Sequence, residues 1–196
     1  MKGNNEQYFK VYEGTPRGKK SSVRYSYSDY RLNKAKEQIK NKPISVNTII
    51  KHVNNFLKSV EIATIENPRL DISDSREINY KDIKQKYGLS DKRDIVWMKF
   101  TTDGYLGIVA TSSDINFDIP KKSDAYNEKL TKYKWRYNTS GILVHQVNKK
   151  WDTSFVLVFP LRNIPKEYSR GDIEKAVGNY LIAQKVPIID FYSHNY

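Results

Sequence analysis

The chain has 196 residues, 38% hydrophobic and 29% charged, with a formal net charge of +12; that length predicts one domain, or one domain with an arm. It contains no cysteine, which excludes disulfides, thiolate zinc sites and a cysteine nucleophile. Residues 1–6 lack the apolar core of a signal peptide and no apolar run nears the ~20 residues that span a bilayer, so a soluble, cytoplasmic protein without a membrane partner is expected.

The first 42 residues form the electrostatic outlier. They hold eleven Lys and Arg against four acids, a net +7, while the other 154 residues share the remaining +5. Five tyrosines and a phenylalanine lie among those cations. Cations suit phosphates and flat rings suit bases, so this arm points to a polyanion partner, with nucleic acid first. Arg17, Lys19, Lys20, Arg24, Arg31 and Lys34 are the expected phosphate contacts. Whether the nucleic acid is DNA or RNA is left open.

Within the arm, residues 7–13 read as a short edge strand and residues 14–22 as a loop punctuated by Gly and Pro. Ser28 is placed to cap a helix over 29–40, which Lys42-Pro43 stops. Residues 43–196 then read as a single α+β body. Ser45 caps its clearest helix, over 46–62. There Val46, Ile49, Ile50, Val53, Phe56, Leu57 and Val60 recur at helical spacing. A polar stretch from 71 leads to a short helix over 80–87, closed by Gly88. Residues 80–97 also echo a helix-turn-helix. Lys84 is too large and charged for its place in that motif, and the chain runs on into a strand, so a plain short helix fits better.

From Ile95 the period drops to two. Residues 95–100 and 105–110 predict a hairpin turning at Thr102-Asp103-Gly104. Residues 141–147 and 153–159 read as a second hairpin. Its second strand is apolar on both faces and therefore central. A helix over 172–184 and a last strand over 186–191 complete a mainly antiparallel sheet packed by N-terminal and C-terminal helices.

Signals of catalysis are sparse. His52, His145 and His194 fit no metal spacing, so no metal or other cofactor is expected. His145, read as mid-strand among apolar residues, is the candidate acid/base. A nuclease reading would add Mg²⁺, held by clustered carboxylates near a lysine. Asp114 and Asp118 are its candidates, with Asp103, Glu174 and Asp190 as further acids whose convergence depends on the fold. No phosphate loop or nucleophile elbow is present. Lys outnumbers Arg 25 to 9, the bias of AT-rich coding, which suggests a low-GC genome with its phages and other mobile elements. A cytosolic nucleic-acid binder is the first expectation. A nuclease on the same basic surface is the second. An interaction module or inhibitor docking on a partner's acidic groove is the third.

Overall fold

The computed structural model describes residues 5–9, 29–72, 80–90, 94–111 and 139–190. Five α-helices and a four-stranded antiparallel sheet make these residues an α+β fold. In chain order they are α1 (Asp29–Gln38), α2 (Val46–Ser59), β1 (Arg69–Asp71), α3 (Tyr80–Tyr87), β2 (Ile95–Phe100), β3 (Leu106–Ala110), α4 (Thr139–Gln146), β4 (Phe155–Pro160) and α5 (Arg170–Ala183). The strands lie in the order β1-β4-β2-β3.

The sheet is covered on both faces. Val96, Met98 and Phe100 of β2 face a core shared with α2 and α5, whereas Ile95 and Trp97 face a second core with α1, α3 and α4. Two covered faces explain why β4, Phe-Val-Leu-Val-Phe-Pro, is apolar throughout and buried along its length. It is central, paired antiparallel with β1 on one side and β2 on the other.

Helix α2 forms for the reasons its sequence announces. The Ser45 hydroxyl accepts the Thr48 N–H at 3.2 Å, and Ile49, Val53, Phe56 and Leu57 form its buried stripe. Burying Phe56 alone contributes on the order of 1.5–3 kcal/mol before entropy. Helix α5 starts two residues earlier than its apolar pattern suggests, at a capping box between Ser169 and Asp172. Gly88 closes α3 at φ +62°, the left-handed conformation that glycine adopts without strain. Past Gly88 the chain reaches β2 within a few residues, which leaves no room for the recognition helix of a helix-turn-helix.

Four local expectations are corrected. Glu6–Phe9 is a single 3-10 turn, not strand, and residues 10–13 lie outside the described residues. Residues 141–146 belong to helix α4 and Val147 to the turn that follows it, so the second hairpin does not exist. A short apolar run is ambiguous by period alone, and Leu143, Val144 and Val147 fall on one helical face that enters the second core. The C-terminal strand is reduced to one parallel bridge, Leu106 to Ile188. It is flanked by bonds from the Ile189 and Asp190 N–H groups to the Leu106 and Gly107 carbonyls, both 2.9 Å. Last, β1 is a strand that the sequence does not announce: three residues, mostly exposed and polar, carry no periodic signal. As a sheet edge, its shortness and charge deter pairing with other chains.

The β2–β3 hairpin turns at Thr101–Tyr105, with Gly104 at φ +89°. Its ladder is irregular: Lys99 pairs with Ile108 but Phe100 with Leu106. Gly107 is therefore the extra residue of a bulge. The ring of Trp151 lies where a Gly107 side chain would be, 2.1 Å from an ideal Cβ. The bulge needs glycine for that close approach.

Candidate functional site

The strand directions gather polar groups at two ends of the sheet. At the hairpin end, Lys149 Nζ meets Asp103 at 2.5 Å and the Thr101 hydroxyl donates to the same carboxylate at 2.6 Å. Partial burial alone would raise the Asp103 carboxyl, but these two bonds hold it below its ordinary pKa. This is turn chemistry, as the sequence suggested for Asp103.

The opposite end is richer. Asp94 precedes β2, Thr111 follows β3 and Leu161 follows β4, and α5 begins beside them. The buried Asp94 carboxylate pairs with Arg170 at 2.6 Å and accepts both the N–H and the hydroxyl of Ser90 at 2.7 Å. The Asp94 carbonyl accepts the Leu161 N–H. Glu174 on α5 accepts the Thr111 N–H at 2.8 Å and its hydroxyl at 2.6 Å. Burial raises the Glu174 carboxyl above its ordinary pKa; the Thr111 bonds oppose this, and nearby Asp190 adds to it. A cleft of about 750 Å³ opens here, lined by Thr111, Asn163, Lys166, Tyr168 and Arg170 among others.

Between the two ends lies Lys99, fully buried in the second core. Its ammonium sits 4.2 Å from the Trp151 ring centre and 5.5 Å from that of Trp97. Burial lowers its pKa from the ordinary 10.5 to about 7. Loss of water outweighs the attraction of the indole faces.

The candidates read from the sequence separate in space. Arg17, Lys19, Lys20 and Arg24 lie outside the described residues, as do Asp114 and Asp118. Arg31 does not face solvent: at 6% exposure it pairs with Asp190 at 2.6 Å, inside the fold. A guanidinium held there cannot also reach a phosphate. Lys34 is partly exposed and bonds Glu37 at 2.8 Å, one turn on; that pairing holds the Glu37 carboxyl below its ordinary pKa. His145 occupies the last turn of α4, half-buried. Glu174 and Asp190 do approach each other, as was open in the sequence, whereas Asp103 is at the far end of the sheet. Among the described residues no three His, Cys, Asp or Glu side chains gather as a metal site would require.

No family model, curated protein or solved structure matches this chain. The site is therefore read from its own chemistry. Among the described residues no helix is long and apolar enough to cross a membrane.

Two features escaped sequence reasoning. Lys99 had a signal: it stands on the same side of a period-two strand as Ile95 and Trp97. The cleft had none, because Lys166 and Arg170 sit in a loop and a helix start that only folding brings beside Asp94 and Thr111.

The arm is also attached at both of its ends. Tyr8 and Phe9 pack on the α2/α5 core; the Tyr8 carbonyl accepts the Asn179 side chain at 2.8 Å, and Phe9 stacks on Tyr168 with ring centres 4.0 Å apart. On the other side of the sheet, Ala35 of α1 is fully buried in the second core. The Tyr105 hydroxyl donates to the Ile39 and Asn41 carbonyls at 3.0 and 2.8 Å. Residues 10–28, with a net charge of +4, thus join two anchored points.

Proposed function

We propose that this chain is a cytosolic nucleic-acid-binding protein, of a phage or other mobile element, that holds phosphate backbone with its basic N-terminal region. One observation carries the reading: +7 of the +12 net charge falls in 42 residues, interleaved with aromatic rings. Such density favours counterion release from a polyanion, with rings available to stack on bases. Arg17, Lys19, Lys20, Arg24 and Lys34 make the contacts. Arg31 is withdrawn from that set by its pairing with Asp190. Anchoring at Phe9 and at α1 supports the reading, because a segment fixed at both ends loses less freedom on binding than a free tail.

The test is binding to a generic duplex, a single strand and an RNA at several salt concentrations, with and without Mg²⁺. Five phosphate contacts predict a slope of log affinity against log salt of roughly −4 to −5 on duplex. Replacing Arg17, Lys19 and Lys20 with Gln should make it shallower by about 2 to 3, alike for unrelated sequences. No binding at low salt, or an unchanged slope, refutes the reading. Shortened substrate on the same gel would reveal a nuclease. A tight complex with an acidic protein, without nucleic-acid binding, would favour the interaction module.

A further inference from the structure

The end of the sheet that holds the cleft is also where the described body gathers exposed cations from separate parts of the chain. Arg162, just after β4, donates to the Tyr87 carbonyl at the close of α3. It also flanks Gly88, 3.8 Å from an ideal Cβ there. Lys86 lies on the Tyr87 ring, 5.6 Å from its centre. Lys86 and Arg162 therefore share one rim. The Leu161 N–H bonds the Asp94 carbonyl and the Asp94 carboxylate bonds Arg170. This links that rim to the cleft, on whose lining Lys166 and Arg170 lie. Lys86, Arg162 and Lys166 are all exposed.

The carboxylates nearby are largely committed. Asp94 is spent on Arg170 and Ser90, Glu174 on Thr111, and Asp172 on the α5 cap. Glu167, beside Lys166, is exposed and reduces the positive balance without cancelling it. The arm begins at the same place. Phe9 stacks on Tyr168, which lines the cleft, so Lys10 follows covalently from the cleft's rim.

We infer that Lys86, Arg162 and Lys166 form a second phosphate-contacting surface on the body, continuous with the basic N-terminal region and occupied by the same nucleic acid. The inference rests on the proposed function and adds to it a location. The backbone of one strand would run from the arm's origin at Tyr168, over the cleft, to the close of α3. Arg170 serves as support, because its guanidinium is engaged by Asp94.

The experiment uses the full chain and a fluorescent generic duplex, read by anisotropy across salt concentrations. Three contacts added to the five of the N-terminal region steepen the expected wild-type slope to about −7, and Lys86→Gln/Arg162→Gln/Lys166→Gln should make it shallower by about 2 to 3. Because Arg162 also holds the α3 terminus, Lys86→Gln/Lys166→Gln is measured beside it, with an expected change of about 1 to 2 and an unchanged melting temperature. Lys51→Gln/Lys58→Gln, on exposed positions of α2, is the charge-matched control and should leave the slope nearly as it was. If the arm variant loses slope while the body double behaves like the α2 control, this surface is refuted and the proposed function stands. If wild type does not bind at low salt, both fall. Equal competition by poly-glutamate at matched charge would overturn nucleic acid as the occupant.

Discussion

Lys99→Met should stabilise this protein at neutral pH and lose that advantage in alkali. The ammonium is fully buried and its pKa falls from 10.5 to about 7. In the unfolded chain the group titrates near its ordinary value. Below the folded pKa both states carry the proton, and the fold bears a cost for burying that charge. At about 1.4 kcal/mol per pH unit that cost is on the order of 5 kcal/mol. Between about 7 and 10.5 the unfolded state holds more protons than the folded one, so stability rises with pH. The Trp151 and Trp97 faces return about 2 kcal/mol to the charged form. Methionine fills a similar volume and makes its own contacts with the rings. The net gain for Lys99→Met is therefore about 2–4 kcal/mol near neutrality, falling towards zero at about pH 10. Urea unfolding of both proteins across that range, followed by far-UV circular dichroism, measures the difference directly. A variant less stable than wild type at neutral pH, or a difference that does not change with pH, would refute the reasoning and point to a working role for the amine.

Two further perturbations probe the packing. Gly107→Ala drives a methyl group into the Trp151 ring, 2.1 and 2.6 Å from two of its carbons. It should cost about 1–3 kcal/mol or more, read as a lowered urea midpoint, and Trp151→Leu in the same chain should recover part of the loss. Arg31→Met leaves Asp190 buried without its partner guanidinium and should cost about 3–5 kcal/mol. Its nucleic-acid salt slope should match wild type, because Arg31 faces Asp190; a shallower slope in a folded variant would restore Arg31 to the phosphate-contact set.

Elements that announce themselves by period were legible. The α2 stripe, the closure of α3 at Gly88, the β2–β3 turn and the central place of β4 follow from spacing and turn residues, because each depends on neighbours a few positions away. Helix α4 was not legible: Gly-Ile-Leu-Val suits either period, and the surface that buries Leu143 and Val144 is supplied by distant α1 and β3. Nor was β1, whose strand character comes wholly from hydrogen bonds to β4. The site divides in the same way. The charge of the arm can be counted in the chain, but Arg31 looked like a solvated cation until its partner, far along the chain at Asp190, was in place. The meeting of Arg170 with Asp94, and of Glu174 with Thr111, follows only from the way the strands align.

The bridge from Ile188 to Leu106 also has a meaning in time. During synthesis the β2–β3 hairpin leaves the ribosome long before β4 can fill the sheet on one side and long before Ile188 and Ile189 reach the outer edge of β3. Until then the hairpin has two open edges, and its strands are rich in Val, Ile and Trp. Nascent chains at this stage are the ones prone to pair with each other. Slow translation or premature termination ahead of residue 188 should therefore convert this protein into aggregates more readily than lesions that let the chain finish.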